Sequence, residues 1–396
     1  MKNTFLFLLL ISLFTNCSDE KKLLNDRLSY AQKQTSLLMT QALEQQAIPR
    51  TIANGQIKWI DNNKFDWTEG FFPGTLWLLY QYSHDDSFKQ GAESLQAIFA
   101  QYTNASSHDL GFVFNCSFGK GYELTKDSTM LSVMKEAGET LIGRFNPQVG
   151  AIKSWDVNRG WQATRGWQYP VIIDNMMNLE FLFNLSQLTG DKKYASVAIA
   201  HANTTMKNHF RADFSSYHVV DYDSITGEVL HRHTAQGYAH ESSWARGQAW
   251  GLYGYVTCYR FTKDTTYLSM AEHIADYIMH SPKIPSDKVP YWDYDAPEIP
   301  NAPRDASAAA VTASALIELD HYVPGKYLSY AKDILDALSS DTYRAKIGEN
   351  HDFILMHSVG SIPHNNEIDV PLNYADYYYV EALMRLWLNE LAYSFN

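Results

Sequence analysis

The sequence predicts an all-α, single-domain protein, an (α/α)6 barrel in which about six helical hairpins close into a ring. Three observations predict it. A short turn motif repeats along the chain, an amphipathic stretch follows each copy, and an apolar run precedes several of them. A chain of 396 residues is long enough for one large domain of this kind. An open helical solenoid is the alternative, because the same hairpins could stack without closing.

The repeated motif places an aspartate in a polar turn between two helical stretches. An aspartate directly before a helix accepts a hydrogen bond from a free backbone N–H of the first turn, so each copy predicts a helix start. The clear copies each carry the aspartate at their third position and are residues 83–88, 125–130, 189–194 and 262–267, with a degenerate copy at 323–327.

The stretches on either side of the motif differ in their apolar pattern. After the motif, apolar residues recur on one face, as in residues 268–278, which predicts an outer helix with one face in water. Residues 24–43 supply an opening helix. The copies are unevenly spaced, so long insertions are expected as functional loops at one end of the helices. Runs that are apolar on all sides predict inner helices and lie at 76–82, 171–188 and 251–261.

The first residues are typical of an export signal. A short polar start precedes an apolar run at residues 5–14, which is too short to span a bilayer, and Cys17 stands where a lipoprotein signal is cleaved and acylated. We therefore predict a signal segment at residues 1–17, one helical domain at 18–396, and a lipid anchor in a bacterial membrane. The expected location is the periplasm or outer membrane of a Gram-negative bacterium. An ordinary cleaved signal peptide with an incidental cysteine is the alternative.

Composition narrows the range of partners. A formal net charge of −12 argues against nucleic acid and anionic membrane surfaces. Aromatic residues make up 14% of the chain, and such rings either fill a helical core or stack on sugar faces. Cys116 and Cys258 could form one disulfide, but the simplest interpretation is two buried small side chains. No nucleotide-binding or zinc motif is present, so the sequence predicts no cofactor and no metal.

Asp174 is the most informative residue, because it stands in the apolar run 171–179. Burial raises the pKa of a carboxyl group, and a carboxyl that keeps its proton near neutral pH can act as a general acid. Asp174 and Asn178 are four residues apart, so on an inner helix they would share the face that points into the central cavity. A buried aspartate that caps a helix or pairs with an arginine is the alternative.

Four further residues point to a sugar. Asp109 is a second carboxylate beside apolar residues, although the polar residues before it make a helix N-cap a serious competitor. Arg246 and Trp250 share a helix face, which suits a sugar carboxylate held beside a stacking platform; a structural cation–π pair is the alternative. Trp67 lies on a loop before an apolar helix, where an exposed indole can bind a sugar. Residues 281–304 form a long Pro-rich loop.

Taken together, these segments resemble glycoside hydrolase family 88, the unsaturated glucuronyl hydrolases. The resemblance implies an (α/α)6 barrel without a cofactor. It also implies a di- or oligosaccharide substrate, left by a polysaccharide lyase, whose terminal uronate carries a C4=C5 double bond. The ordered segments that carry it are residues 67–71, 108–112, 172–179, 215–218, 234–237, 244–250, 303–310 and 367–378.

The resemblance also implies roles for individual residues. Asp174 looks like the general acid and base, which protonates C4 and then activates the water that attacks C5. Asp109 looks like the second essential carboxylate. The residues that look like substrate-binding residues are Trp67, His218, Gln236, Arg246 and Trp250, together with Trp155.

One departure from the family bears on the substrate. Some relatives that act on sulfated glycosaminoglycans carry a Ser-x-x-Ser-x-Lys element, whereas here Pro363 follows Ser358 and Ser361 in the lysine position. This puts a 6-sulfated product in doubt. The alternatives are an unsaturated rhamnogalacturonyl hydrolase on the same barrel, a polysaccharide lyase on a helical toroid, and a sugar-binding lipoprotein without catalysis.

Overall fold

The computed structural model describes residues 2–394, with side chains for residues 19–389. The predicted acylation site Cys17 lies outside the residues whose side chains are described. The helices are α1 Lys2–Gln45, α2 Phe71–Ser83, α3 Asp86–Gln96, α4 Leu110–Phe114, α5 Lys120–Thr125, α6 Ser128–Ile142, α7 Leu179–Thr189, α8 Lys192–Asn208, α9 Ala245–Thr262, α10 Thr265–His280, α11 Ala306–Tyr322, α12 Leu328–Leu338 and α13 Asn373–Ser394.

The helices form two concentric rings. The inner ring consists of α2, α4 continued by α5, α7, α9, α11 and α13, and the outer ring consists of α1, α3, α6, α8, α10 and α12. A π-helical turn, Asn115–Gly119, joins α4 to α5. The last inner helix, α13, packs against both α11 and the first inner helix α2, so the ring closes. The predicted (α/α)6 barrel is therefore confirmed, and the open solenoid is not formed.

Short turns join each inner helix to the next outer helix, and the repeated motif forms four of them. In each, the aspartate accepts a hydrogen bond from the backbone N–H two residues on, as predicted. The capping residues are Asp85, Asp127, Asp191 and Asp264. The degenerate copy works differently, because Asp320 on the preceding helix accepts from the backbone N–H groups of Tyr327 and Leu328.

Long connections join each outer helix to the next inner helix, and they carry every strand that the described chain contains. Three antiparallel pairs and one antiparallel three-stranded sheet result. The predicted all-α class thus holds for the rings, while the connections add small sheets. The strands are β1 Pro49–Ala53, β2 Gln56–Trp59, β3 Phe145–Asn146, β4 Ala151–Ile152, β5 Tyr169–Ile172, β6 Val219–Tyr222, β7 Val229–His233, β8 Ser358–Ser361 and β9 Asn366–Val370.

The inner helices all run in the same direction, because each begins after a long connection and ends at a short turn. Their N-termini therefore meet at one end of the barrel, together with the strands, and we call this end the mouth. Helix N-termini carry partial positive charge. The mouth is thus favourable for a negatively charged ligand, in a chain whose net charge is −12.

Below the mouth, aromatic rings fill the barrel axis. Phe71, Phe112, Trp250 and Tyr378 contact one another in a cycle, with ring centroids 5.2–5.8 Å apart, and we call these four residues the aromatic floor. Each is at most 2% exposed, so no open channel passes between them.

Charged side chains lie beneath the aromatic floor. We call them the basal ion cluster: Glu180, Arg260, Glu318, Glu381 and Arg385. Arg260 bonds both Glu180 and Glu318, and Arg385 bonds Glu318.

Two smaller predictions have definite outcomes. Cys116 and Cys258 are buried free thiols, so the disulfide alternative is wrong. Residues 281–304 form a long connection between α10 and α11, as predicted. Within the part of the chain that the structure describes, we find no helix of the length and apolarity needed to cross a membrane.

Candidate active site

Two paired strands place Asp174 beside His218. Ile172 at the end of β5 pairs with Val219 at the start of β6, and the N–H of Ile173 donates to the His218 carbonyl over 3.0 Å. Asp174 follows β5 and His218 precedes β6, so the two side chains meet. The His218 Nε2 atom lies 3.5 Å from the Asp174 Oδ1 atom.

The orientation of the His218 ring is fixed by its other nitrogen. Nδ1 accepts hydrogen bonds from the backbone N–H groups of Ala235 (3.0 Å) and Gln236 (3.2 Å). In the neutral ring the proton must therefore be on Nε2, which faces Asp174. Asp174 is 8% exposed, and its Oδ1 atom is buried without a hydrogen-bond partner. This oxygen is not committed to a hydrogen bond that holds the fold, so the carboxyl group of Asp174 is available to exchange a proton with a bound molecule.

The structure corrects the predicted placement of Asp174 on an inner helix. Residues Ile173–Asn178 form a 3-10 segment, and the α-helix begins only at Leu179. Because β-branched residues precede Asp174, the chain is extended up to Ile172. A 3-10 segment has three residues per turn, so Asn178 aligns with Asn175 rather than with Asp174. The Asn178 amide donates to Asn175 Oδ1 over 3.2 Å.

Asn178 instead brings the second carboxylate to the site. Its Oδ1 atom accepts from the backbone N–H of Phe112 over 2.8 Å, which docks the start of α4 against this segment. Gly111 makes the approach possible, since a Cβ there would lie 2.5 Å from the same Asn178 oxygen. Asp109 stands directly before α4, and its charge interacts with that of Asp174. The two carboxylates expected from the sequence are therefore brought together.

Asp109 occupies the N-cap position of α4, but its side chain caps nothing there. Its carboxylate accepts from the Ser107 hydroxyl over 2.8 Å and lies 3.3 Å from His108 Nε2. The competing interpretation as a helix cap is therefore wrong. Burial raises the pKa of Asp109; His108 and the Ser107 hydroxyl oppose this rise, and the charge of Asp174 adds to it. Burial also lowers the pKa of His108, which therefore faces Asp109 as a neutral ring.

Arg246 makes more hydrogen bonds within the protein than the sequence suggested. Its guanidinium donates to Asp305 Oδ2 over 2.9 Å and to the carbonyls of Val359 and Gly360. It also lies over the rings of Trp244 and Tyr374, 4.5 Å and 5.3 Å from their centroids, rather than over Trp250 as the cation–π alternative required. Arg246 is 1% exposed. It thus holds β8 against the site, and its part in substrate binding stays a prediction.

The other expected substrate-binding residues line different sides of the pocket. Trp250 is completely buried in the aromatic floor, so its ring presents no open stacking face. Trp67 is half-buried, and its ring lies against Phe112 and Tyr374. Gln236 donates to the Gly360 carbonyl over 3.3 Å.

Trp155 lies at the edge of the pocket, between His218 and a tryptophan that sequence reasoning missed. Its ring centroid is 5.9 Å from that of His218 and 5.0 Å from that of Trp161. Trp161 is 37% exposed at the mouth. The available signal for Trp161 was its place in a Gly- and Trp-rich segment between two predicted helices. Asp305 was also missed, since its bond to Arg246 spans residues far apart in the sequence.

Among the residues whose side chains are described, no group of three or more His, Cys, Asp or Glu residues is arranged to hold a metal ion. The chemistry available here is that of two neighbouring carboxylates, one with an unpartnered oxygen, beside the rings of His108 and His218. Such a set can donate a proton to a bound molecule and take one back.

Comparison with known proteins gives a consistent picture. The model of Glycosyl Hydrolase Family 88 matches residues 42–385. An unsaturated glucuronyl hydrolase from Formosa agariphila is 47% identical over 323 residues, which cover 81% of this chain and 80% of the relative.

Solved structures of unsaturated glucuronyl hydrolases also match this fold. The crystal structure of an unsaturated glucuronyl hydrolase specific for heparin matches with a TM-score of 0.87 and 46% identity, and the match covers 93% of this chain and 98% of that one. A mutant unsaturated glucuronyl hydrolase from Streptococcus agalactiae, complexed with dGlcA-GalNAc6S, matches with a TM-score of 0.76 and 30% identity, covering 93% and 92% of the two chains.

Proposed function

The chain belongs to Glycosyl Hydrolase Family 88, and we propose that Asp174 is the acid and base of its reaction. The protein is an unsaturated glucuronyl hydrolase, a glycosidase that acts on oligosaccharides ending in an unsaturated glucuronyl residue. The observation that carries the assignment of Asp174 is its carboxyl group, which is 8% exposed, faces His218 and has an oxygen without a hydrogen-bond partner.

The proposed reaction starts from the enol ether of the unsaturated uronate. Asp174 donates its proton to C4, and the electron pair of the double bond forms the new C–H bond. Positive charge then develops at C5 and is shared with the ring oxygen. A water molecule attacks C5 and returns a proton to Asp174. The C5 hemiketal opens to a ketone, which leaves C1 as a hemiacetal that releases the partner sugar.

His218 and Asp109 have supporting roles in this proposal. The Nε2–H of His218 faces Asp174 Oδ1 at 3.5 Å, so it stabilises the carboxylate left after proton donation. Asp109, with its raised pKa, supplies a second polar group at the reacting ring. The anomeric carbon is not attacked, so the distance between the two carboxylates does not decide retention or inversion, unlike in ordinary glycosidases.

The first test is loss of the ultraviolet absorbance of the conjugated C4=C5 bond. Wild type is expected to remove it from at least one disaccharide in a panel made by polysaccharide lyases, including a rhamnose-linked member. Asp174→Asn should lose about 10²–10⁴-fold in rate, because one proton-transfer residue contributes that much. Asp191→Asn is the matched control, since it changes an exposed cap at the other end of the barrel. Full activity of Asp174→Asn would remove Asp174 from the mechanism.

The second test uses isotope labels from the solvent to locate the added proton and oxygen in the product. In D₂O, the product of the wild type is expected to carry one solvent deuterium at C4, detected by NMR. In H₂¹⁸O, the new oxygen should be at C5. Label at C1 instead, with no deuterium at C4, would mean ordinary attack on the glycosidic carbon and would contradict the proposal.

The location of the protein is a separate proposal. We propose that it is exported and anchored by a lipid on Cys17, supported by the apolar run at residues 5–14 and the acidic residues after the cysteine. In a Gram-negative host, wild type should incorporate a labelled fatty acid and sediment with membranes. Cys17→Ala should do neither. Unlabelled wild type in the soluble periplasmic fraction would favour an ordinary cleaved signal peptide.

A further inference from the structure

A groove of about 560 Å³ opens beside the catalytic pocket at the mouth. Trp161 and Arg165 form one side, Tyr238 and His240 another, and His364 on the loop after β8 a third. This volume falls within the range of pockets that bind small ligands. Trp161 and Tyr238 are 37% and 49% exposed, so two broad aromatic surfaces face the solvent there.

No acidic side chain lines this groove. Its lining contains an arginine and two histidines and no aspartate or glutamate, in a chain with 44 acidic residues. Arg165 donates to a backbone carbonyl, that of Thr234, over 2.5 Å, and its guanidinium lies against the rings of Trp161 and Trp167. The guanidinium is therefore held in place while its charge is not neutralised by a carboxylate of the groove.

The two histidines add hydrogen-bond donors. His240 Nδ1 accepts from the backbone N–H of Thr234 over 3.1 Å, so its neutral ring carries the proton on Nε2. His364 lies close enough to Arg165 and His218 for both to act on its charge, and its Nδ1 is 2.7 Å from the Ser361 hydroxyl. A bound group at this position would meet donors from three separate segments of the chain.

The groove is continuous with the catalytic pocket. The His364 ring lies 4.9 Å from Trp161, Trp161 lies 5.0 Å from Trp155, and Trp155 lies 5.9 Å from His218, which faces Asp174. The groove is more open to solvent than Asp174. A substrate with its unsaturated end at Asp174 would therefore extend its remaining sugar toward Arg165.

We propose that this groove binds the leaving-group side of the substrate through a sulfate or carboxylate substituent, with Arg165 as the main contact and His240 and His364 as additional donors. The inference rests on the proposed function, since it takes the unsaturated residue to be at Asp174. An anion fits because planar guanidinium and imidazole N–H groups are donors without acceptors. Sulfate and carboxylate present the same oxygen acceptors, so the experiment must separate them.

The test compares substrates that differ only in the leaving-group sugar: neutral, sulfated, and with a carboxylate in place of the sulfate. Wild type is expected to have a higher kcat/KM for at least one charged member than for the neutral one. Arg165→Gln should lower this charged-to-neutral ratio by about tenfold, the loss expected for a charge-assisted hydrogen bond. Whichever charged member loses its advantage identifies the anion. A ratio near one in wild type would overturn the proposal.

Two control variants separate a local contact from other effects. Arg159→Gln removes a charge from the same loop, where Arg159 is exposed and pairs with Asp156, so it should leave the ratio unchanged. If Arg159→Gln lowers the ratio as much as Arg165→Gln does, the effect is long-range and the proposal is wrong. Arg165→Lys should restore part of the preference, because it keeps the charge without the planar fork.

A binding measurement tests anion binding in the groove independently of catalytic turnover. Calorimetric titration of the same disaccharides into Asp174→Asn should show tighter binding of the charged member, and the double variant Asp174→Asn/Arg165→Gln should lose it. If the double variant still prefers the charged member, the proposal for the groove is wrong, while the proposed function is unaffected. Absence of hydration by wild type on every substrate would overturn the proposed function, whatever the titration shows.

Discussion

Buried carboxyl groups in this protein fall into two kinds that differ in their surroundings. Glu318 lies between Arg260 and Arg385, which outweigh the effect of burial and lower its pKa to about 2. Glu69, near Trp67, is 2% exposed and has an oxygen without a hydrogen-bond partner. Burial raises the pKa of Glu69 to about 9, and the charge of Asp66 adds to the rise. The first kind is ionised and stabilising at neutral pH, and the second is protonated.

Glu69 should therefore make stability depend on pH. Its pKa is higher in the folded protein than in the unfolded chain, so its contribution is fully present below about pH 4.5 and is lost as pH rises toward 9. Between pH 4 and pH 7, we expect wild type to lose about 3 kcal/mol of unfolding free energy relative to Glu69→Gln. Urea unfolding at several pH values measures this, with the exposed Glu298→Gln as control. Parallel curves for wild type and Glu69→Gln would contradict the expectation.

At the scale of single residues, the sequence indicated the two carboxylates proposed for catalysis but not the contacts that orient them. Asp174 and Asp109 could be found because a carboxyl group in an apolar run is unusual in any sequence. His218 was expected to bind substrate, but its contact with Asp174 could not be found, since it forms only through the pairing of β5 with β6. The predicted alignment of Asn178 with Asp174 was wrong for a local reason. It assumed α-helical spacing for a segment that forms a 3-10 turn.

At the scale of elements, one turn design recurs at the base of the barrel. In each of the four aspartate-capped turns, a Ser or Thr hydroxyl ends the inner helix and accepts from the N–H of the capping aspartate. The residue between them is in the left-handed conformation, where only one of the four is glycine. Backbone N–H groups lower the pKa of all four aspartates. Each turn thus supplies a hydrogen-bond acceptor for a free backbone N–H at the start of the next helix, using residues that are close in sequence.

Removing one cap should weaken the protein by a small, measurable amount. Asp264→Ala is expected to lower Tm by roughly 1–3 °C, since the first-turn N–H loses its acceptor. Asp264→Asn should lower Tm less, because an asparagine oxygen can accept the same bond. The same pair at Asp127 should behave alike. Calorimetry checks both, and an alanine variant as stable as its asparagine counterpart would contradict the capping role.

The base of the barrel was predictable from sequence because its signals are local. An aspartate at fixed spacing before an amphipathic stretch marks a turn without reference to the rest of the chain. The mouth was less predictable. Its strands are two to five residues long and pair across loops, as in β6 with β7. Such short strands contain no alternating apolar pattern long enough to predict them from sequence.

At the scale of the whole molecule, closure of the ring depends on contacts between the two ends of the chain. α13 packs on α2, and Asn373 donates to the carbonyls of Pro49 and Thr68. The basal ion cluster adds a second link, because Glu318 on α11 binds arginines from α9 and α13. The sequence alone left closure undecided, since the repeat predicts hairpins and not their relative rotation.

Breaking the basal ion cluster should destabilise the whole barrel. Glu318→Gln leaves Arg260 and Arg385 without their shared carboxylate, and we expect a loss of roughly 3 kcal/mol in unfolding free energy at pH 7. The folded-state pKa of Glu318 is below its unfolded value, so this contribution is present above about pH 4.5 and disappears as pH falls toward 2. Wild type and variant should therefore converge in acid. Divergence that grows in acid would contradict this account.

The aromatic floor fixes the order in which products leave. Among the described residues, Phe71, Phe112, Trp250 and Tyr378 fill the barrel axis, so products formed at Asp174 are expected to leave through the mouth by which substrate enters. With the substrate placed as proposed, the released sugar lies nearer that exit, so we expect it to depart first and the keto-uronate to follow. The keto-uronate is then expected to compete with incoming substrate for the same free enzyme. A polymer cannot be threaded through such a barrel, which restricts attack to chain ends, one residue at a time.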